Sequence, residues 1–364
     1  MNYSKLYDMA LAAYTKLPYH FGMGRAFRPL SLFIEVTYRC NFRCNMCQFL
    51  NIMDDPRLNE KKGEELTLDE MRSAIDQVSR LGMIVFTGGE PLLRRDIMEA
   101  VRYASEKRKS YLVTNGVLLT EDISREFVSL GCRTLLHPGM ASVGISLEGP
   151  EAVHDNIVNA KGSYQKIIGN VKKLVELKRR TGKSYPVIAL KCVMTRHNAN
   201  HLDELYRLAE EVGVDIFNPI AHYDIPNTNR LEMDSTPDLT KEPKPENGID
   251  IGLLEKEIDA MVRRSAGSKV QLRLTPPALP PEDIVAIYRG DLDMSNKHCH
   301  TPWGTALLSA YGEVTPCSNY PAGNIRKEPF MKIWNGERMR LFRDKLKKNR
   351  IFPGCAACCS ILPE

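Results

Sequence analysis

The sequence predicts an α/β protein built on a parallel sheet, and two observations carry that prediction. Six short apolar runs, at 32–36, 83–89, 110–116, 141–149, 186–194 and 214–221, recur along the first part of the chain. Amphipathic segments of helical period lie between most of them, which is the pattern of repeated βαβ units. Alternation alone leaves the sheet either open or curved into a barrel.

Each run reads as a strand in its own right. "LFIEV", "PVIALKCVM" and "VDIFNPIA" are apolar and β-branched enough for strands covered on both faces. "MIVFTGG", "SYLVTNG" and "ASVGISLEG" end in glycine turns that stop the strand. The helical segments carry start signals, as in "TLDEMRSAIDQVSRLG", where Thr67 and Glu70 have the spacing of a capping box.

Parallel strands place all their C-terminal ends on one edge, where such folds assemble their sites. That edge collects the unusual residues of this chain. A cysteine triplet follows the first run, "TGGEP" ends the second, "TNG" the third, "SLEG" the fourth and "AHYD" the sixth.

Composition narrows the function classes. The 364 residues are 43% hydrophobic, enough for a large globular core. Fifty basic and 45 acidic residues are spread along the chain, and the one basic run, Lys345, Lys347, Lys348 and Arg350, reads as a solvated face. No nucleic-acid partner is expected. No apolar run reaches membrane-spanning length and the N-terminus lacks a signal-peptide core, so a cytoplasmic location is expected. The first residues carry an amphipathic stripe of Leu6, Met9, Ala10, Ala13, Tyr14 and Leu17. Its expected use is packing on the protein's own surface, with peripheral contact to a membrane or lipid carrier as the alternative.

Four segments follow: an N-terminal helical extension (1–30), the alternating core (31–226), a connector (227–296) and a cysteine-rich end (297–364). The connector is polar and proline-rich, and is expected to add a helix at "IGLLEKEIDAMVRR" but no further strand of the sheet.

Ten cysteines in a chain without a secretion signal point to metal rather than disulfides. Cys132 and Cys192 lie among apolar residues and read as buried thiols. Cys40, Cys44 and Cys47 form a C-x3-C-x2-C triplet, whose spacing suits zinc or iron with sulfide. Structural zinc wants four closed ligands, and no fourth Cys or His is near in sequence. Three thiolates on a four-iron cluster would leave one iron open.

With "GGEP" at 88–91 behind it, the triplet resembles the signature of the radical S-adenosylmethionine enzymes, C-x3-C-x-Φ-C, with Met46 at the position that is usually aromatic. The resemblance covers residues 30–220 and implies a partial (β/α)6 barrel. It implies a [4Fe-4S] cluster on Cys40, Cys44 and Cys47 whose open iron binds S-adenosylmethionine, reduced to a 5'-deoxyadenosyl radical. Met46, Gly88, Gly89 and Glu90 would border the cofactor, with Asn115 and Ser146 at its ribose and carboxylate. Many relatives place an Arg-Gly where this chain has Val158 and Asn159, and Lys191 is the replacement cation if its side chain points inward.

Cys299, Cys317, Cys355 and Cys358 can gather around one centre, with a β-hairpin turning at Gly312. This group resembles the twitch form of the SPASM extension and implies one auxiliary iron–sulfur cluster, a structural zinc being the alternative. Cys359 competes with Cys358 as the fourth ligand. Full ligation suits an electron acceptor, hence a dehydrogenation; a redox-neutral rearrangement, carbon–carbon bond formation and a non-enzymatic electron-transfer or sensor role are the other readings.

A base for the released proton is expected at the same edge, from His222 or Tyr223. Only about 30 residues precede the first strand, which leaves no room there for a leader-binding domain. A small molecule, sugar or carrier-linked substrate is therefore expected, with peptide modification as runner-up. An electron donor such as flavodoxin or ferredoxin completes the expected partners.

Overall fold

The computed structural model describes residues 3–56, 61–134, 136–224, 244–245, 248–277, 279–317, 320–352, 355, 358 and 362–363. Helix α1 (Tyr3–Phe21) leads into the alternating core. There, β1 (Ser31–Thr37), α2 (Leu50–Met53), α3 (Leu68–Asp76), β2 (Met83–Gly88), α4 (Ile97–Lys107) and β3 (Lys109–Thr114) come first. Next are α5 (Glu121–Ser129), β4 (Gly139–Ser146), α6 (Glu151–Ile157), α7 (Ser163–Thr181), β5 (Val187–Met194), α8 (Leu202–Val212) and β6 (Ile216–Ala221). All six expected strands form, within three residues of the apolar runs that announced them.

Local chemistry explains the helix ends. Thr67 accepts from the Glu70 N–H while the Glu70 carboxylate accepts from the Thr67 N–H, so the capping box forms in full. Thr120 caps α5 through the Ile123 N–H. Helices α7 and α8 stop at Gly182 and Gly213, both left-handed at φ +66° and +79°.

Strands β1 to β6 run parallel in sequence order, the open sheet of a partial barrel. Pleating sorts the side chains. On the outer face Leu32, Ile34, Val36, Ile84, Phe86, Leu112, Ile145, Leu190 and Phe217 are sealed beneath the helices. Each contributes roughly 2 kcal/mol by leaving water. On the inner face Phe33, Tyr111, Val113, Ser142, Ser146, Lys191 and Asn218 are only half-buried. The inner face is thus less covered than the outer one, most of all from β3 to β6.

Past β6, β7 (Tyr223–Asp224) pairs with β8 (Lys244–Pro245). Helix α9 (Ile251–Ser265), β9 (Gln271–Leu272) and α10 (Pro281–Arg289) follow. The connector does contain the expected helix, but the expectation that it adds no strand is overturned. Gln271 and Leu272 pair in parallel with Ile216 and Phe217, extending the sheet beyond β6. Two residues carry no readable alternation, so this strand has no sequence signal.

The C-terminal part holds β10 (Lys297–His298), β11 (Thr305–Leu308), β12 (Glu313–Thr315), β13 (Gly323–Asn324), α11 (Phe330–Trp334), α12 (Glu337–Asn349) and β14 (Leu362–Pro363). The hairpin turns at Gly312, at φ +92°. Its first strand docks in parallel on β1, from Ser31 opposite Thr305 to Ile34 opposite Leu308. One ten-stranded sheet therefore runs from β13 through β1 to β9. The cysteine-rich end is bonded to the barrel, with Trp303 and Trp334 buried in the common core.

Candidate active site

Cys40, Cys44 and Cys47 lie on the loop that leaves β1 at the sheet's C-terminal edge, and all three are half-buried. Two glycines explain how the next strand reaches that loop. A Cβ on Gly88 would lie 2.3 Å from the Thr37 carbonyl oxygen, and one on Gly89 2.2 Å from that of Arg39. Any side chain there would force the edges of β1 and β2 apart. The Gly89 and Glu90 N–H groups donate to those same two carbonyls, at 2.8 Å each.

The far side of the loop is tied to α6. Arg43 N–H donates to Val158 O and Asn45 N–H to Ile157 O, so Cys44 sits between two backbone anchors. From below, the Asn41 side chain accepts from Asn115 Nδ2 at 2.8 Å. Three neighbouring segments therefore fix the loop from Thr37 to Asn45.

Glu90 is buried and fully engaged. One carboxylate oxygen accepts from Thr114 Oγ1 and Leu92 N–H, the other from Asn115 N–H at 2.7 Å. Burial raises its pKa against these three bonds. In this arrangement Glu90 straps β2 to β3, and the backbone of the glycine pair borders the loop. Asn115 likewise spends its amide on Asn41 and its carbonyl oxygen on the Val117 N–H.

Ser146 and Lys191 are register partners on the inner face of β4 and β5. Gly144 is the reason Lys191 can lie inside: a Cβ there would meet the Tyr111 hydroxyl at 2.4 Å and Lys191 Cδ at 2.9 Å. The lysine stem crosses that gap and its ammonium stands 5.7 Å from the Tyr111 ring centroid. Tyr111 pairs with Ser142, four residues before Ser146, so the ammonium leans down the barrel from the loop edge.

Glu148 and His154 are site residues that sequence reading passed over. Glu148 is 4% exposed, and burial pushes its carboxyl up to about 7 against the Val193 N–H and the Lys191 ammonium. His154 is fully buried; its Nδ1 accepts from the Glu148 N–H at 3.0 Å. Burial lowers it to about 4, so the ring is neutral with the proton on Nε2. Its ring meets Phe42 of the cysteine loop edge to face at 6.4 Å. The signal was present in "SLEG" and "HD", two acids and a histidine in a strand-to-helix turn.

His222 follows β6 at the same edge, its N–H held 2.8 Å from the Tyr288 hydroxyl of α10. Tyr223 begins β7. Both are at the predicted edge of the sheet. Met46 lies within the cysteine loop, half-buried against the main core.

The second cysteine group is gathered by other means. Pairing of His298 with Leu362 brings the C-terminal tail beside Cys299. Cys355 is close enough to Cys299 for their thiols to couple electrostatically. Tyr320, three residues past Cys317, packs 4.9 Å from Phe342, which packs 5.6 Å from Phe352. That aromatic row joins the hairpin end to the Cys355 turn. The choice between Cys358 and Cys359 falls on a residue outside those described.

The donor chemistry fits iron–sulfur ligation. Phe42 and Phe49 N–H donate to Cys40 Sγ and Cys47 Sγ, and Phe352 N–H to Cys355 Sγ, each at 3.4 Å. Such bonds stabilise thiolate sulfur. Burial holds Cys40 and Cys355 up at about 11, and raises Cys44 and Cys47 as well. Thiolates this close and this buried require positive charge among them. The nine described cysteines form no disulfide, and among the described residues no group of three or more Cys, His or carboxylates is arranged to hold a metal ion.

Residues 34–209 match the radical SAM superfamily and residues 299–359 the SPASM iron–sulfur cluster-binding domain. The chain belongs to the radical SAM superfamily and carries a C-terminal SPASM domain. Those two domains imply a [4Fe-4S] cluster with S-adenosylmethionine and auxiliary iron–sulfur.

Among curated proteins, the AdoMet-dependent heme synthase of Methanosarcina barkeri is 26% identical over 85% of this chain and 83% of its own. A PqqA peptide cyclase of Rhodopseudomonas palustris is 33% identical, over 51% of this chain and 45% of its own. The crystal structure of Streptococcus suis SuiB shares the fold at a TM-score of 0.61 and 15% identity, over 89% of this chain and 69% of that one. Among the described residues no helix is long and apolar enough to cross a membrane.

Proposed function

We propose that the protein dehydrogenates a small-molecule or carrier-linked substrate, taking from it one hydrogen atom, one electron and one proton. The observation that carries this reading is the half-buried inner face of β3 to β6, where Tyr111, Ser142, Lys191 and Asn218 stand below the cysteine loop. When bound, the first cluster and S-adenosylmethionine supply the hydrogen-abstracting radical, and one auxiliary cluster the electron sink.

The residues of the chain divide the remaining work. Cys40, Cys44 and Cys47 hold the first cluster, while Gly88 and Gly89 bring a bare backbone against it for the cofactor's ammonium. Asn115, in its Asn41-bound pose, and Ser146 flank the cofactor's ribose and carboxylate. Lys191 is the cationic group of that face and holds an anionic group on either the cofactor or the substrate. Cys299, Cys317, Cys355 and Cys358 hold the auxiliary cluster. His222 or Tyr223 takes the proton.

A relative matched over most of its length is a heme synthase, which favours a small-molecule substrate over a peptide. The 33% identity to a peptide cyclase over half the chain supports a second reading, peptide modification with recognition supplied by another protein.

Anaerobic reconstitution with iron and sulfide, then S-adenosylmethionine and dithionite, tests the central reading. The expected product is 5'-deoxyadenosine, and its absence with every reductant would sink it. Lys191→Ala then separates the two anion assignments: weaker S-adenosylmethionine binding places the ammonium on the cofactor, unchanged binding on the substrate.

A further inference from the structure

Helix α1 turns its apolar stripe in two directions. Tyr14, Thr15, Pro18 and Tyr19 face the protein: the Tyr14 hydroxyl donates to Arg28 O, and Tyr19 packs 4.8 Å from Trp303. Ala13, Leu17 and Phe21 face solvent at helical spacing. Of the stripe expected to pack on the protein's own surface, Tyr14 does so and Ala13 and Leu17 do not, while the side chains of Leu6, Met9 and Ala10 lie outside those described.

Among the described residues, four of nine strongly exposed large apolar side chains, Leu17, Phe21, Met23 and Phe27, fall in this one stretch. Phe21 is 80% and Met23 84% exposed. Scatter of single apolar residues is ordinary, but such concentration is not.

The turn that presents them is rigid. A Cβ on Gly22 would meet Pro18 O at 2.5 Å and Arg25 O at 2.6 Å, and one on Gly24 would meet the Arg340 backbone at 3.0 Å. Arg343 donates to Gly24 O from beneath. Between those glycines Met23 is held at φ +47°, a conformation that a non-glycine residue adopts at a cost.

A basic rim lies beside it. Lys347 of α12 donates to His20 O and stands 5.3 Å from the Tyr19 ring, which seats the end of α12 against the end of α1. Lys16, Arg25 and Lys347 are exposed there, with Asp344 as the acidic exception, and Lys345 and Lys348 are exposed further round α12.

We propose that this face docks on a bilayer containing anionic lipid, with Leu17, Phe21 and Met23 entering the interface and the lysines reading its charge. Projecting apolar side chains flanked by lysine are the pattern of an interfacial helix. Protein interfaces are instead depleted in lysine, and a second copy would bring like charges together. Docking would hold the barrel close to substrates carried in or on a membrane.

Flotation of the full reconstituted chain tests it, with vesicles of phosphatidylcholine alone and of phosphatidylcholine with phosphatidylglycerol. Flotation with the anionic vesicles, reversed by salt, is expected. Phe21→Ser with Met23→Ser should weaken partitioning about tenfold, and Lys16→Glu with Arg25→Glu at least about fivefold per residue changed. Both pairs should leave thermal melting and 5'-deoxyadenosine formation in solution unchanged, which separates loss of docking from loss of fold. No flotation, equal flotation with neutral vesicles, or flotation indifferent to both pairs would overturn it. So would a dimer that the Phe21 and Met23 pair dissolves, since the face would then belong to a second copy.

Discussion

Cys40, Cys44 and Cys47 occupy one short loop, whereas Cys299, Cys317, Cys355 and Cys358 are drawn from most of the last quarter of the chain. The first loop is anchored at four backbone carbonyls, Thr37 and Arg39 on one side and Ile157 and Val158 on the other, with the side-chain bonds of Asn41 to Asn115 and Arg39 to Glu65 added. The second group rests on side-chain packing, the row Tyr320, Phe342 and Phe352, and on the short pairing of β10 with β14. Backbone bonds set position within narrow limits, which a reactive open-iron centre needs. Packing tolerates more shift, which an electron-transfer centre can accept.

The largest test of this contrast removes ligands. Cys44→Ala should abolish 5'-deoxyadenosine formation and cut bound iron by about one four-iron cluster per chain. Cys355→Ala should lose a similar amount of iron yet still cleave S-adenosylmethionine, uncoupled from substrate oxidation. Iron analysis and product chromatography on the two proteins read this directly. Equal loss of cleavage in both would show that the centres do not act separately.

Gly89→Ala asks whether the backbone clamp is what matters. Its Cβ would fall 2.2 Å from Arg39 O, a backbone atom that cannot swing aside. Overpacking of this kind costs about 2 to 3 kcal/mol in urea denaturation. The clamp argument adds that iron in the first group should fall while the second group keeps its own.

Asn115→Ala is a milder probe of the same loop. It deprives Asn41 and the Val117 N–H of partners, at about 1 to 2 kcal/mol. Affinity for S-adenosylmethionine by calorimetry should fall about tenfold.

The contrast also explains what was legible in the sequence. The six strands and the first cysteine loop are local: apolar runs, glycine turns and ligand spacing each sit within one stretch of chain. The fit of Gly88 and Gly89 was readable as a motif, but its cause, close approach to Thr37 and Arg39, needs the strand pairing. The docking of β11 on β1 and the added strand β9 are long-range registers that no local pattern encodes. That Glu90 ties β2 to β3 was not legible either, because which N–H and hydroxyl groups a buried carboxylate takes depends on the strand pairing. Glu148 and His154 were overlooked because a lone acid or histidine in a turn usually means nothing. The outward half of α1 was misjudged because helical period shows a stripe without showing which way it faces.

The smallest effect tests how the two cysteine regions are joined. Arg326, beside β13, donates to both carboxylate oxygens of Glu70, at 2.6 and 3.0 Å, and to the carbonyls of Glu64 and Glu65. Glu70 thus completes its own helix cap and fastens the C-terminal hairpin to the barrel. Its hydrogen bond from Arg326, aided by the Thr67 N–H, lowers its pKa from 4.5 to about 2. Because the folded value is depressed, this stabilisation is complete above pH 4.5 and drains away as pH falls toward about 2. Both side chains are about one-third exposed, so solvent screening limits the pH-dependent share to about 1 kcal/mol. The bonds to the two carbonyls do not titrate. Arg326→Ala should therefore lose stability at every pH, with a gap to wild type that narrows in acid without closing. Glu70→Gln should lose only the part that titrates. Urea midpoints measured across that range separate the two, and a gap that stays constant in acid would remove Glu70 from the joint.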